Sequence, residues 1–93
     1  MDEAVMLTAV KADLGIKTDA FDARLLSRIR TAIAWIQAEG ATLSDSESDQ
    51  ELVVMYAVWL WRSRLTGEGM SRMLRYALNN RVFGQKAREA SDA

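Results

Sequence analysis

The chain has 93 residues, a formal net charge of −1, and no cysteine, histidine or proline. Disulfide and thiol chemistry are therefore closed to it, redox leaves its compartment unconstrained, and the commonest metal ligand and general base is missing. One domain is expected; a domain this small buries only about 60–65% of its unfolded surface, yet 49% of the residues are hydrophobic, a surplus that points toward oligomerisation.

The opening MDEAVM is acidic and lacks the basic–apolar–small pattern of a signal peptide, so the chain reads as made in the cytoplasm. Asp2 is a natural N-cap, with Glu3 near the positive end of the helix dipole. Met6, Leu7, Val10 and Leu14 share one face, and Gly15 ends this first helix, expected over residues 3–14. Thr18-Asp19 opens a second helix expected over 19–39, with Asp22 as another acid in its first turn. Phe21, Leu25, Ile29, Ala32, Ile33 and Ile36 form the clearest amphipathic stripe in the chain, and Gly40 terminates it. Trp35 sits off the stripe, placed either to lap over a neighbouring helix or to meet a partner, since tryptophan is enriched at interface hot spots. Arg24, Arg28 and Arg30 read as a solvated flank whose apolar stems lie along the core. Ala41 to Glu47 is a polar loop whose serines and aspartate compete with helix formation by bonding to local backbone.

The third element holds Leu52 to Trp61, LVVMYAVWLW, an unbroken apolar run. It is too short for a bilayer, which needs about 20 apolar residues. Valine and the aromatics favour strand here, but Ser48 with Glu51 resembles a capping box and Gly67 suits a helix C-terminus, so a helix over 48–65 is expected. Trp59 and Trp61 then point about 200° apart at 3.6 residues per turn. Leu52, Met55, Tyr56 and Trp59 make one wall, and Val54, Ala57, Val58, Trp61 and Leu65 the other. Either the rest of the chain covers both walls or a second subunit covers one. A short fourth helix over 71–79 follows, capped by Ser71, with Met70, Met73, Leu74, Ala77 and Leu78 inward. Asn79-Asn80 reads as a stop signal, Val82-Phe83 as a small apolar pair, and residues 84–93 as an extended or frayed tail. The expected fold is thus all-α, a small bundle of about four helices.

Charge is polarised. Residues 1–49 carry nine acidic and five basic side chains, residues 50–93 four acidic and seven basic, which suits head-to-tail stacking or unlike partners at the two ends. Chemistry is scarce: there is no phosphate-binding glycine loop, Gly67-Glu68-Gly69 is explained as a turn, and the alternating acids Asp45, Glu47, Asp49 and Glu51 lack the central glycine of a calcium hand. Asp19 and Asp22 read as caps. No enzymatic activity, metal or cofactor is expected. Arg62, Arg64, Arg72, Arg75, Arg81, Lys86 and Arg88 cluster late, as phosphate contacts require, and Thr66-Gly67-Glu68-Gly69 between two helices admits a helix-turn-helix. The alternative reading is therefore a small helical DNA-binding regulator acting as a dimer. Against it stand a pI of about 5.3 and a recognition face of only Arg72, Arg75 and Tyr76.

The order Leu14-Gly15-Ile16, Thr18-Asp19 and Asp22, Leu25-Leu26, Ile29, Ala32 and Ile36, then Ala57, Trp61 and Arg62, resembles the small head–tail connector (adaptor) proteins of tailed bacteriophages. The segment from Met70 to Phe83 is similar to the end of a subset of them, although Ser71 stands where members often have proline; the likeness spans about residues 5–86. The resemblance implies a structural, non-enzymatic subunit of a phage or prophage virion, assembled in the host cytoplasm. Such subunits form a ring, commonly twelve-fold, below the portal protein. The ring extends the DNA channel, without sequence-specific DNA binding or contact with a membrane, and docks head-closure or tail proteins. Met70 to Lys86 would be the portal-facing arm. Candidate subunit or portal contacts on this reading are Trp35, Trp59, Trp61, Arg62, Arg64, Arg72, Arg75, Tyr76, Arg81 and Phe83.

Overall fold

The apolar run lies in the middle of the most buried helix of a four-helix chain. The computed structural model describes residues 1–92 and contains α1 (Glu3–Leu14), α2 (Asp22–Ala38), α3 (Glu47–Thr66) and α4 (Arg72–Asp92), with no strand among the described residues. The all-α bundle expected from the sequence is the observed architecture. No helix of the described residues is long and apolar enough to cross a membrane.

Helix ends follow local chemistry. Asp2 accepts hydrogen bonds from the amides of Ala4 and Val5 at 3.0 and 3.2 Å, satisfying donors that the first turn leaves free. At the start of α3 the cap is Ser46, not Ser48: its hydroxyl accepts from the Asp49 amide at 3.2 Å. Glu51, expected in a capping box, is exposed instead. Ser46→Ala should cost about 1 kcal/mol, read from the urea midpoint at unchanged slope. Thr18 and Asp19 form a turn ahead of α2 rather than its first residues, the Ala20 amide donating to the Thr18 hydroxyl. Asp19 and Asp22 act as partners of Lys11, at 3.1 and 2.9 Å, and so tie the end of α1 to the beginning of α2. Gly67 closes α3 at φ 68°, a left-handed conformation that costs glycine nothing, and its amide donates to the Ser63 carbonyl at 2.8 Å.

Helix α3 packs against α1, α2 and α4 in turn. The core unites Met6 and Val10 of α1, Leu25, Ile29, Ala32 and Ile36 of α2, seven residues of α3, and Leu74, Leu78 and Val82 of α4. Both walls of the apolar run are therefore covered within the chain. Helix α4 folds back on the wall that α1 and α2 leave open. Two residues assigned inward by spacing are out: Leu65, at the end of α3, is 80% exposed, and Met73 is 73% exposed.

The fourth helix also departs from expectation in length. It passes through Asn79-Asn80 and Gly84 and continues to Asp92, where the sequence pattern ended it at 79 and placed an extended or frayed tail over 84–93. Tertiary anchoring outweighs the weak helix propensity of asparagine and glycine: Leu78 and Val82 are buried on either side of the asparagines, and Arg81 and Gln85 are hydrogen-bonded to the rest of the chain. The final residue of the expected tail, Ala93, lies outside the described residues. Arg81 meets Asp49 in the first turn of α3, Gln85 still bonds the loop at Gly40 and Thr42, and the seven residues after Gln85 extend beyond these contacts. At about 1.5 Å per residue those seven add about 10 Å of helix to a molecule whose long axis is 48 Å against 27 and 17 Å.

Candidate interaction surface on helix α4

The ten candidate contact residues separate into two groups. Five are engaged inside the chain. Trp61 is buried, meets Phe21 edge-on at 5.7 Å, and lies under the Arg64 guanidinium, whose carbon sits 3.6 Å from the ring centroid. Arg64 also donates to the Trp61 carbonyl. Trp59 is half-buried, packs edge-on to Tyr56 at 5.5 Å, and its indole N–H donates to the Glu68 carbonyl at 3.2 Å, pinning the α3–α4 connection. Arg62 donates to the Asp13 carbonyl at 3.3 Å, one of the carbonyls left open at the end of α1.

Arg81 is the most deeply committed of the five. Its Nε and Nη2 bond the two oxygens of Asp49 at 2.6 and 3.1 Å, the paired geometry that makes arginine–carboxylate contacts strong. Nη2 also reaches the Thr42 carbonyl at 2.5 Å, and Nη1 the Gln85 Oε1 at 3.0 Å. Asp49 further accepts from the Ser44 amide and hydroxyl at 2.8 and 3.0 Å. The Arg81 guanidinium, helped by Ser44 and opposed by burial, holds the Asp49 carboxyl below the usual carboxylate range. Gln85 completes the cluster: its side-chain carbonyl accepts from the Thr42 amide at 2.6 Å, and its amide donates to the Gly40 carbonyl at 3.0 Å. The loop from Ala41 to Glu47, which composition marks as polar, is thereby fastened to α4, and Ala41 is buried. Neither Asp49 nor Gln85 is linked to Arg81 by the sequence; one reads as a capping acid among alternating acids and the other as part of a polar end, and only the fold brings them beside Arg81.

The other five candidates face outward. Trp35 is half-exposed and touches Tyr56 edge-on at 6.4 Å; burial pushes the Tyr56 hydroxyl above its ordinary pKa, with Glu39 adding to the effect. Arg75 sits 3.6 Å from Glu39, both well exposed, a pairing worth little in water. Arg72, Tyr76 and Phe83 are exposed, Tyr76 at 63% and Phe83 at 67%. With Met73, the residue misassigned by spacing, they give α4 an outer apolar line at positions 73, 76 and 83 that its own core does not use. Asn80 falls between them, so the steps are three, four and three residues, the repeat by which one helix face meets a partner. Beyond Gln85, residues 86–91 are all exposed.

No group of three or more acidic side chains able to hold a metal ion occurs among the described residues. The arrangement defines a small helical bundle with a closed core and one outward helix that is apolar along its line and basic at its edges. No protein-family model, curated protein or solved structure matches the chain.

Proposed function

We propose that this protein is a structural subunit of a phage or prophage head–tail connector. It forms a ring below the portal protein, extends the DNA channel and docks head-closure or tail proteins. The observation that carries the reading is the far end of α4. The helix runs about 10 Å past Gln85, its last bond to the rest of the chain among the described residues, and Lys86 and Arg88 there and Phe83 just before are all exposed. A helix that projects from a closed bundle bearing an aromatic and two cations is built to meet something outside the chain, and the resemblance over residues 5–86 supplies the portal as that partner. The polarised charge and the outward Met73 and Tyr76 support a subunit with unlike surfaces, as a ring of heterologous contacts requires.

Light scattering and negative-stain imaging with the cognate portal test the proposal. The expected result is a ring seated on the portal. Phe83→Ser combined with Lys86→Glu should abolish that binding and leave helicity and thermal midpoint near wild type, because both side chains are exposed. A chain that ignores the portal at all concentrations overturns the reading. A DNA-binding regulator would instead retard duplex DNA with steep salt dependence; a connector subunit should show little affinity for free duplex.

A further inference from the structure

We propose that the first two turns of α4 dock into a groove between α1 and α3 of a second copy of this chain, so that copies associate head to tail. The proposal rests on the ring reading for its biological setting and on two surfaces of this chain for its substance.

The first surface is a groove of about 540 Å³ between the start of α1 and the start of α3. Its floor is apolar, with Val5, Ala9 and Val54, and its rim carries Glu47 and Glu51. Val5 is 57% exposed although it lies on a helix with a buried face. Neither glutamate makes an ion pair among the described residues. The second surface is the exposed start of α4, where Met73 and Tyr76 lie side by side and Arg72 and Arg75 line one flank of them. Arg72 has no ion pair among the described residues, and Arg75 has only its long contact to Glu39 at 3.6 Å.

The two surfaces match in charge and in spacing. Residues three or four apart on a helix lie about 5–6 Å from one another, so Glu47 with Glu51 and Arg72 with Arg75 present charge pairs of comparable separation. With the arginines on the glutamate rim, Met73 and Tyr76 would then enter the apolar floor beside it. Two-fold pairing of α4 with itself is disfavoured by the same charges: it would bring Arg72, Arg75 and Lys86 of one copy against those of the other, and like charges across an interface repel. A groove on one face and a helix on another make an interface that repeats from copy to copy rather than closing as a dimer.

The absence of cysteine gives a clean background for the test. Val5→Cys and Tyr76→Cys, both at exposed positions, are made in separate full-length chains, mixed under mild oxidation at high protein concentration, and mixed again with portal present. Lys17→Cys, exposed and not among the residues that form either surface, is the collision control. The expected result is a Val5→Cys to Tyr76→Cys crosslink well above the control pairings, lost with Glu51→Arg and regained when that variant is mixed with Arg72→Glu. Crosslinking only between two Tyr76→Cys chains would establish two-fold pairing and overturn the proposal, as would crosslinks no stronger than the control in both conditions. If rings form on the portal without this crosslink, the docking fails and the connector reading stands. If the crosslink forms and the portal is ignored, the docking stands and the connector reading fails.

Discussion

Trp61→Ala should cost about 3–5 kcal/mol, the range for deleting a buried tryptophan, and leave a bundle close to its unfolding threshold. Domains of this kind hold about 5–15 kcal/mol in total. The side chain fills the space between α3 and the turn before α2, and three groups depend on it: the Phe21 ring, packed edge-on, and the guanidinium and apolar stem of Arg64 above it. Removing it leaves a cavity that helices pinned at both ends cannot collapse. Trp59→Ala should cost less, about 2 kcal/mol, within the common range for single substitutions, because that ring is partly in solvent and loses one edge contact and one hydrogen bond. Urea titrations monitored by far-ultraviolet circular dichroism measure both. Equal losses at the two positions would contradict the placement of Trp61 under Arg64 and against Phe21.

Arg81→Ala should cost about 3 kcal/mol at neutral pH. That is the lower end of the range for removing one member of a buried ion pair, since one edge of the guanidinium reaches solvent. The loss comes chiefly from Asp49, which would keep a buried charge with only Ser44 to satisfy it. The pH dependence has a defined sign. Asp49 has its pKa lowered in the folded chain from about 3.9 when unfolded, so its contribution is complete above the unfolded value and is lost as pH falls through the folded one. The gap between wild type and Arg81→Ala should therefore be widest near neutrality and narrow in acid below about pH 4. Replacing both partners, Asp49→Asn with Arg81→Met, should recover part of the loss, because no buried charge is then left alone. Denaturant midpoints across a pH series distinguish these outcomes; a constant gap from neutral to acid pH would show that Asp49 is not the group responsible.

The fold was legible where a local rule decides alone. Asp2, Gly15 and Gly67 mark helix ends through their own side chains or backbone freedom, and the stripe from Leu25 to Ile36 marks a buried face by its period. It was illegible where two rules compete. Asn79, Asn80 and Gly84 each weaken a helix, but Leu78, Val82 and Gln85 hold α4 through them by contacts distant in sequence. Ser46 and Ser48 are equivalent as caps on composition; Ser46 takes the role because its hydroxyl reaches the Asp49 amide while Asp49 turns to Ser44 and Arg81. The surface was harder to read than the fold. Arg72 and Arg81 look alike in the sequence, yet one faces solvent and the other is locked to an aspartate 32 residues away. Met73 joined the inward stripe on spacing because it stands three residues after Met70 and four before Ala77, but it lies one step of about 100° from the buried Leu74 and turns to the outside.

The connection between α3 and α4 is only Gly67 to Ser71, five residues between Thr66 and Arg72. Stretched fully, the six steps from Thr66 to Arg72 span at most about 22 Å. That length is a leash. Should α4 leave its own α3 and take the equivalent seat on a neighbour, making the same contacts in exchange, the receiving helix must begin its seat within that radius of the donor's Thr66. The leash would therefore limit any exchange of α4 to immediate neighbours, and a longer insertion at Gly69, where an added side chain meets nothing within 4 Å, is the change that would lengthen it.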